Sequence, residues 1–227
     1  MLQSLGRFRP PPGRLVLPDV CCDVAFVGGR QFFDGPMTRA HPSLYVGQDV
    51  VMLRIRVAAA RDILQIPLSE LTDLVVPLDE ISQSLARELA QRFETGRLVE
   101  AFDRAPPSSV DARFLTAARA LARGSSVGAA AAHVELTERH LERLFNDRVG
   151  VSPKLFARIV RFRRAVFAAR LGTPLAVAAA GNGYADQSHF TREAHALTNR
   201  SPRSLLPGLA NAASIQDADR WRDVGCE

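Results

Sequence analysis

Two short segments hold the side chains of this sequence that could do chemistry: Thr137-Glu-Arg-His-Leu-Glu-Arg-Leu-Phe145 and Asp186-Gln-Ser-His-Phe-Thr-Arg-Glu-Ala194. Arg and Gln at the start of a helix can make paired hydrogen bonds to base edges in a DNA major groove, and the Arg fork also suits phosphate. The segments lie 49 residues apart, and at that offset His140 falls on His189, Leu141 on Phe190, Arg143 on Arg192, Ser152 on Ser201, Pro153 on Pro202 and Lys154 on Arg203. A repeat of this period without a gap marks a duplicated supersecondary unit. Each copy reads as a short helix, a turn, a second helix and then a new helix opened by Ser-Pro, which is a helix-turn-helix unit.

The flanking residues define the elements that must position these segments. Residues 109–123 read as a helix with Phe114, Leu115, Ala118 and Leu121 inward, stopped by Gly124-Ser-Ser126. Val127 to Ala132 is the first helix of unit one and His133 to Leu136 its turn, with Thr137 as N-cap of the next helix. There Leu141, Leu144 and Phe145 form an apolar stripe, leaving Arg139, Glu142, Arg143 and Asn146 on the open side. Gly150 ends that helix, and Ser152-Pro153 starts a long one reaching to about Leu171. At 1.5 Å per residue it is roughly 28 Å long, comparable with the roughly 34 Å of one DNA turn. Unit two runs from Leu175 to Ala180, turns over Gly181-Asn-Gly-Tyr184, and continues as a helix from the N-cap Asp186 to about Leu197. Phe190 and Leu197 face inward, while Gln187, Ser188, His189 and Arg192 point to the open side.

Upstream, residues 1–14 read as an irregular lead-in. Short runs rich in Val, Phe and Ile then suggest strands at 15–17, 23–27, 44–46 and 50–57, with turns at Gly28-Gly29 and Asp34-Gly35-Pro36. In the last run Leu53, Ile55 and Val57 alternate with Arg54 and Arg56, the pattern of a half-buried antiparallel strand. A short helix is expected at Ser69-Glu-Leu-Thr72. An amphipathic helix is expected from Leu78 to Phe93, with Ile81, Leu85, Leu89 and Phe93 inward, and a shorter one from Arg97 to Phe102. The expected fold is α+β: a β-rich domain over 1–77, a helical connector over 78–108 with a boundary at Pro106-Pro-Ser-Ser, an all-α domain over 109–210 with two helix-turn-helix units joined by a long linker helix, and a polar tail over 211–227.

Charge follows the same division. Of 227 residues, 47% are hydrophobic and the net charge is +5, but residues 113–210 carry +9 and residues 1–112 carry −2. The basic character thus belongs to the repeat, and Lys154 is the chain's one lysine. No apolar run approaches the roughly 20 residues of a membrane span, and the first residues lack the apolar core of a signal peptide, so a cytoplasmic protein is expected. Cys21, Cys22 and Cys226 form neither a disulfide framework nor a Cys-x-x-Cys pair, and Cys21 and Cys22 are expected as buried thiols.

Gly183-Tyr-Ala-Asp-Gln-Ser-His-Phe-Thr-Arg192 with Arg200-Ser-Pro202 resembles the signature of the AraC/XylS family of bacterial transcription regulators. Thr137 to Phe145 with Gly150-Val-Ser-Pro153 is similar to that family's first recognition helix and the start of its linker. The resemblance covers residues 109–206. It implies a helix-turn-helix transcription factor that binds double-stranded promoter DNA. Its base-facing positions would be Arg139, Glu142 and Arg143 in unit one, and Gln187, Ser188, His189 and Arg192 in unit two. Thr137 and Asp186 would cap the recognition helices, and Lys154 and Arg203 would lie near phosphates. Two departures stand out, Ala194 where the family usually has Phe and Asn199 where it usually has Gly, and they predict a more loosely packed second unit. Leu17 to Phe26 and Leu68 to Leu78 resemble a short N-terminal domain of one branch of the family, with a sensory or dimerising role. The partners this implies are an unidentified small-molecule effector at that domain, RNA polymerase in the case of an activator, and a second copy of the chain. No cofactor, metal or catalytic residue is implied.

Competing readings weigh less. No strand precedes Gly181-Asn-Gly183, so it reads as a turn and not as a dinucleotide loop. His133 and His140 lack the spacing of a zinc helix, and His189 with His195 reads as one base-facing and one surface residue. A rival from another class is a small-molecule-binding or enzymatic N-terminal domain with an appended DNA-binding unit, for which a polar pocket around Asp19, Cys22, Asp23 and His41 would be the sign. A third is a protein-interaction module with degenerate DNA heads.

Overall fold

The computed structural model describes residues 2–55, 57–98 and 112–209. The N-terminal part contains strands β1 (Leu2–Phe8), β2 (Leu15–Val16), β3 (Cys22–Val27), β4 (Arg30–Asp34), β5 (His41–Pro42) and β6 (Val50–Ile55). Helix α1 (Val57–Leu64), a 3-10 turn (Leu68–Glu70), β7 (Val75–Pro77), α2 (Leu78–Ile81) and α3 (Gln83–Glu94) follow. Five strands form one antiparallel sheet in the order β1-β6-β3-β4-β7, and β2 pairs with β5 separately. Gly28 and Gly29 join β3 to β4 with φ of 55° and 77°, the two left-handed residues that a tight hairpin matched to strand twist requires. Alternation then assigns the faces. Cys22, Val24, Phe26, Phe33, Leu53 and Ile55 pack beneath α1, α2 and α3, whereas Ala25, Val27, Met52 and Tyr45 form a smaller cluster on the other face.

Several expectations for this half need correction. Residues 2–8, read as irregular, form edge strand β1, whose register runs from Leu2↔Ile55 to Phe8↔Val50. Leu44-Tyr-Val46 is a turn, with Tyr45 buried and Leu44 and Val46 exposed. The run 50–57 splits: β6 stops at Ile55 and Val57 already opens α1. The polar face of β6 is also covered, and Arg54 is 4% exposed because Asp19 and Asp23 neutralise it. The helix expected over 78–93 breaks at Ser82, whose extended backbone (φ −152°) ends α2 and whose hydroxyl accepts from the Leu85 amide to cap α3. The helix expected at 97–102, the boundary at 106–109 and the tail over 211–227 lie largely or wholly outside the described residues.

The C-terminal part contains α4 (Ala112–Ala122), α5 (Val127–His133), α6 (Glu138–Val149), α7 (Pro153–Arg170), α8 (Leu175–Gly181), α9 (Gln187–Thr198) and α10 (Pro202–Leu209). Bounds and caps follow the sequence signals. Ser126, Thr137, Ser152 and Asp186 each accept from the amide three residues on, and Gly150 closes α6 in the left-handed region at φ 81°. One apolar core runs through both units. Phe145 lies 5.2 Å from Phe114 and 5.3 Å from Phe156, and Phe162 lies 6.3 Å from Phe190, so α7 is a spine shared by the two units.

The two halves of the chain are not separate. Leu17 and Val20 belong to the same buried cluster as Phe145 and Phe190. The Ala40 amide donates to the Leu197 carbonyl at 2.9 Å. Helix α1 and the 3-10 turn lie against α6: Arg61 pairs with Asp147 at 2.8 Å, Arg148 with Asp62 at 3.3 Å, and the Thr72 hydroxyl donates to the Gly150 carbonyl at 2.8 Å. The first recognition segment is therefore gripped by the N-terminal half.

Candidate nucleic-acid interface

The apolar stripes of α6 and α9 decide which side chains remain free. In α6, Leu141, Phe145 and Val149 are fully buried, so Arg139, Glu142, Arg143 and Asn146 face solvent. Among the described residues Glu142 forms no ion pair with Arg139 or Arg143, which leaves all three groups available for an external partner. In α9, Phe190, Ala194 and Leu197 are buried and Gln187, Ser188 and Arg192 are exposed. His189 is partly recessed. Its ring meets Tyr184 edge-on at 5.2 Å, and its Nδ1 accepts from the Ala185 amide at 3.4 Å.

Capping fixes the first turn of each helix. Thr137 Oγ1 accepts from the His140 amide at 3.2 Å, and Asp186 Oδ1 from the His189 amide at 2.6 Å. A carboxylate at that end is also favoured by the helix dipole. Lys154 is exposed in the first turn of α7, and Arg203 is exposed near the start of α10.

The second unit is not loosely packed, contrary to expectation. Ala194 is fully buried in the core shared with Phe162 and Phe190. Asn199 ends α9 in the left-handed region at φ 55°, a conformation that Asn tolerates better than other non-Gly residues. A buried polar network, unrecognised in the sequence, adds to this. Glu193 accepts from Arg161 at 2.8 and 3.0 Å, from Arg158 at 3.2 Å and from the Tyr184 hydroxyl at 3.0 Å. Arg161 also lies over the Tyr184 ring, 4.5 Å from its centroid. Burial alone would raise the Glu193 pKa, but the Arg161 guanidinium, with Tyr184 and Arg158, holds it below the usual glutamate value. The spacing of Arg158 and Arg161 on one helix face was the available signal, but their common partner is 32 residues or more away.

The N-terminal half contains a polar cleft lined by Asp19, Cys21, Asp23, Asp34, His41 and Tyr45. Three of the four residues expected to mark such a pocket are there. The fourth, Cys22, faces the helices on the opposite side of the sheet, and its neighbour Cys21 takes the place in the cleft. Arg54 donates to both oxygens of Asp23 and to Asp19. Burial pushes the Asp34 carboxyl up to about 7 despite the hydrogen bond it accepts from Tyr45 at 2.5 Å. Burial likewise raises both cysteine thiols, which keeps them protonated and unreactive. Among the described residues no group of three or more His, Cys, Asp or Glu could hold a metal ion, and no helix is long and apolar enough to cross a membrane.

Comparison with known proteins agrees with the geometry of the C-terminal half. Residues 130–206 match a family described as a helix-turn-helix domain. Similar solved structures include a lysine-to-alanine variant of apo ToxT from Vibrio cholerae strain SCE256, at 14% identity and a TM-score of 0.48, covering 91% of this chain and 97% of that one. Another is ToxT of the same species with unsaturated fatty acid bound, at 13% identity and a TM-score of 0.45, covering 93% of each chain. No curated protein matches the sequence. Two capped recognition helices on one spine, in a segment that matches this family, make residues 130–206 a helix-turn-helix domain of the AraC type.

Proposed function

We propose that α6 and α9 enter adjacent major-groove segments of promoter DNA, with Arg139, Glu142 and Arg143 reading bases in one and Gln187, Ser188 and Arg192 in the other. His189 acts from its recessed position against Tyr184, and Lys154 and Arg203 meet phosphates. The observation that carries this reading is the burial pattern: six of the seven base-facing positions are solvent-exposed on helices whose opposite faces are sealed in one core. Arg143 is the residue to test, by measuring the full chain on duplexes recovered from random DNA. Arg143→Ala should cost roughly 1–3 kcal/mol at one base position and relax specificity there. An equal loss on every sequence would make Arg143 a phosphate contact and sink its role in reading.

The cleft supports a second element of the proposal, that the N-terminal half receives a small polar effector. Asp34, Tyr45 and His41 line it, and the segment between β2 and β3 that supplies Asp19 and Cys21 also sends Leu17 and Val20 into the C-terminal core. A ligand there would touch residues within two positions of that core. A thermal-shift screen of small amines, acids and polyols on the full chain tests it: a hit abolished by Asp34→Asn supports the cleft, and a hit indifferent to it does not. In this proposal the protein works in the cytoplasm, as a single chain or with a second copy, and an activator would also meet RNA polymerase.

A further inference from the structure

We infer that a groove along α7 seats the sugar-phosphate backbone of DNA where it passes between the two recognition helices; the inference rests on the DNA-binding reading above. The groove, of about 560 Å³, is bounded by α7, by the Gly124-to-Val127 corner that opens unit one and by the Gly181-to-Gly183 turn of unit two. Arg123, Lys154, Arg158, Arg161 and Arg164 line it, and no carboxylate does. Lys154, Arg158, Arg161 and Arg164 fall at steps of four, three and three, which places them on one side of the helix. Among the described residues the one acidic group paired with this stripe is Glu193, behind Arg158 and Arg161, and a single carboxylate leaves most of the five positive charges uncompensated.

Three of the five cations, Arg158, Arg161 and Arg164, are held in place by partners. Arg164 donates to the Ala122 carbonyl at 2.5 Å, at the end of α4, and Arg161 is fixed between Glu193 and the Tyr184 ring. A side chain added at Gly124 or Gly181 would meet nothing within 4 Å, so the backbone at both corners lies open to an approaching chain. Each corner belongs to a helix-turn-helix unit: the 124–127 corner opens α5, which leads into α6, and the 181–183 turn leads into α9. A duplex that presents successive major-groove segments to α6 and α9 must carry its phosphates across the space between these corners. Its charge, one per roughly 1.7 Å of axis, is the complement of this lining. An acidic protein would find the same charge but has no reason to touch both corners.

The test uses the full chain, a duplex recovered by selection from random DNA and a shuffled duplex of equal length, each titrated across a salt series. Arg123 and Lys154 are exposed and hold no ion pair among the described residues, so Arg123→Ala/Lys154→Ala should melt like the parent. Losing two phosphate contacts should reduce the log–log salt slope by about 2 and weaken binding about sixtyfold at 0.1 M salt, by the same factor on both duplexes. Arg123→Gln alone should reduce the slope by about 1. An unchanged slope, or a loss confined to the selected duplex, would overturn the seat while leaving the regulator reading intact. Loss of poly-glutamate binding with DNA binding unaffected would overturn it in favour of a protein partner. A parent chain that selects no duplex and shows no salt-dependent binding would overturn both.

Discussion

Replacing Glu193 by alanine should lower the stability of the whole chain by about 2–3 kcal/mol, because this carboxylate ties α9 to α7. Removing one member of a buried ion pair typically costs about 3–5 kcal/mol. Here the Arg158 and Arg161 side chains are 38% and 30% exposed and recover much of their hydration when released. The Tyr184 hydroxyl is buried and does not, and leaving it unsatisfied costs about 1–3 kcal/mol. For a chain of this size each kcal/mol moves the midpoint by about 2–4 °C, so a fall of about 4–12 °C is expected by calorimetry. Glu193→Gln keeps an acceptor for Tyr184 and should fall by less. The difference should also depend on pH. A carboxyl whose pKa is lowered by folding stabilises above its unfolded pKa and loses that contribution as pH falls through its folded value, so parent and variant should converge in acid. Hydrogen exchange should show the lost protection concentrated in α9. An unchanged midpoint at neutral pH, or loss of protection in α6 and not in α9, would refute the reasoning.

Other expectations follow from single positions. Gly150→Ala would place a methyl 2.5 Å from Thr72 Oγ1 and 2.8 Å from the Leu68 carbonyl oxygen at φ 81°, so it should destabilise by more than the 1–2 kcal/mol of left-handed strain alone, read by denaturant unfolding. Asn199→Gly should be close to neutral, whereas Asn199→Ala should cost about 1 kcal/mol in the same assay, since φ of 55° suits Gly and Asn but not Ala. Asp34 titrates at about 7 in the fold, above the ordinary aspartate value near 4. A raised carboxyl pKa means that the folded state holds the proton more tightly, so its contribution is full below about pH 4 and is lost as pH rises towards 7. Asp34→Asn should flatten the stability profile in that window, and an unaltered slope would remove Asp34 as its source.

The C-terminal half was legible because its signals are local. Thr137, Asp186, Ser152-Pro153 and Gly150 fix helix ends through hydrogen bonds and backbone preferences that span three or four residues. The stripes Leu141/Phe145 and Phe190/Leu197 fix faces by the 3.6-residue period. Those two facts named the open positions of both recognition helices. Tertiary structure decided what no period encodes. Arg54 looked like the wet face of a strand and is buried because Asp19 and Asp23, more than 30 residues earlier in the chain, come to meet it. Residues 2–8 became a strand because β6 offered an unpaired edge. Glu193 became the anchor of the second unit because α7 brings two arginines to it. Whether Leu17 and Val20 belonged to the first half or the second was settled by packing, since burial depends on which apolar surfaces meet and not on where they stand in the chain.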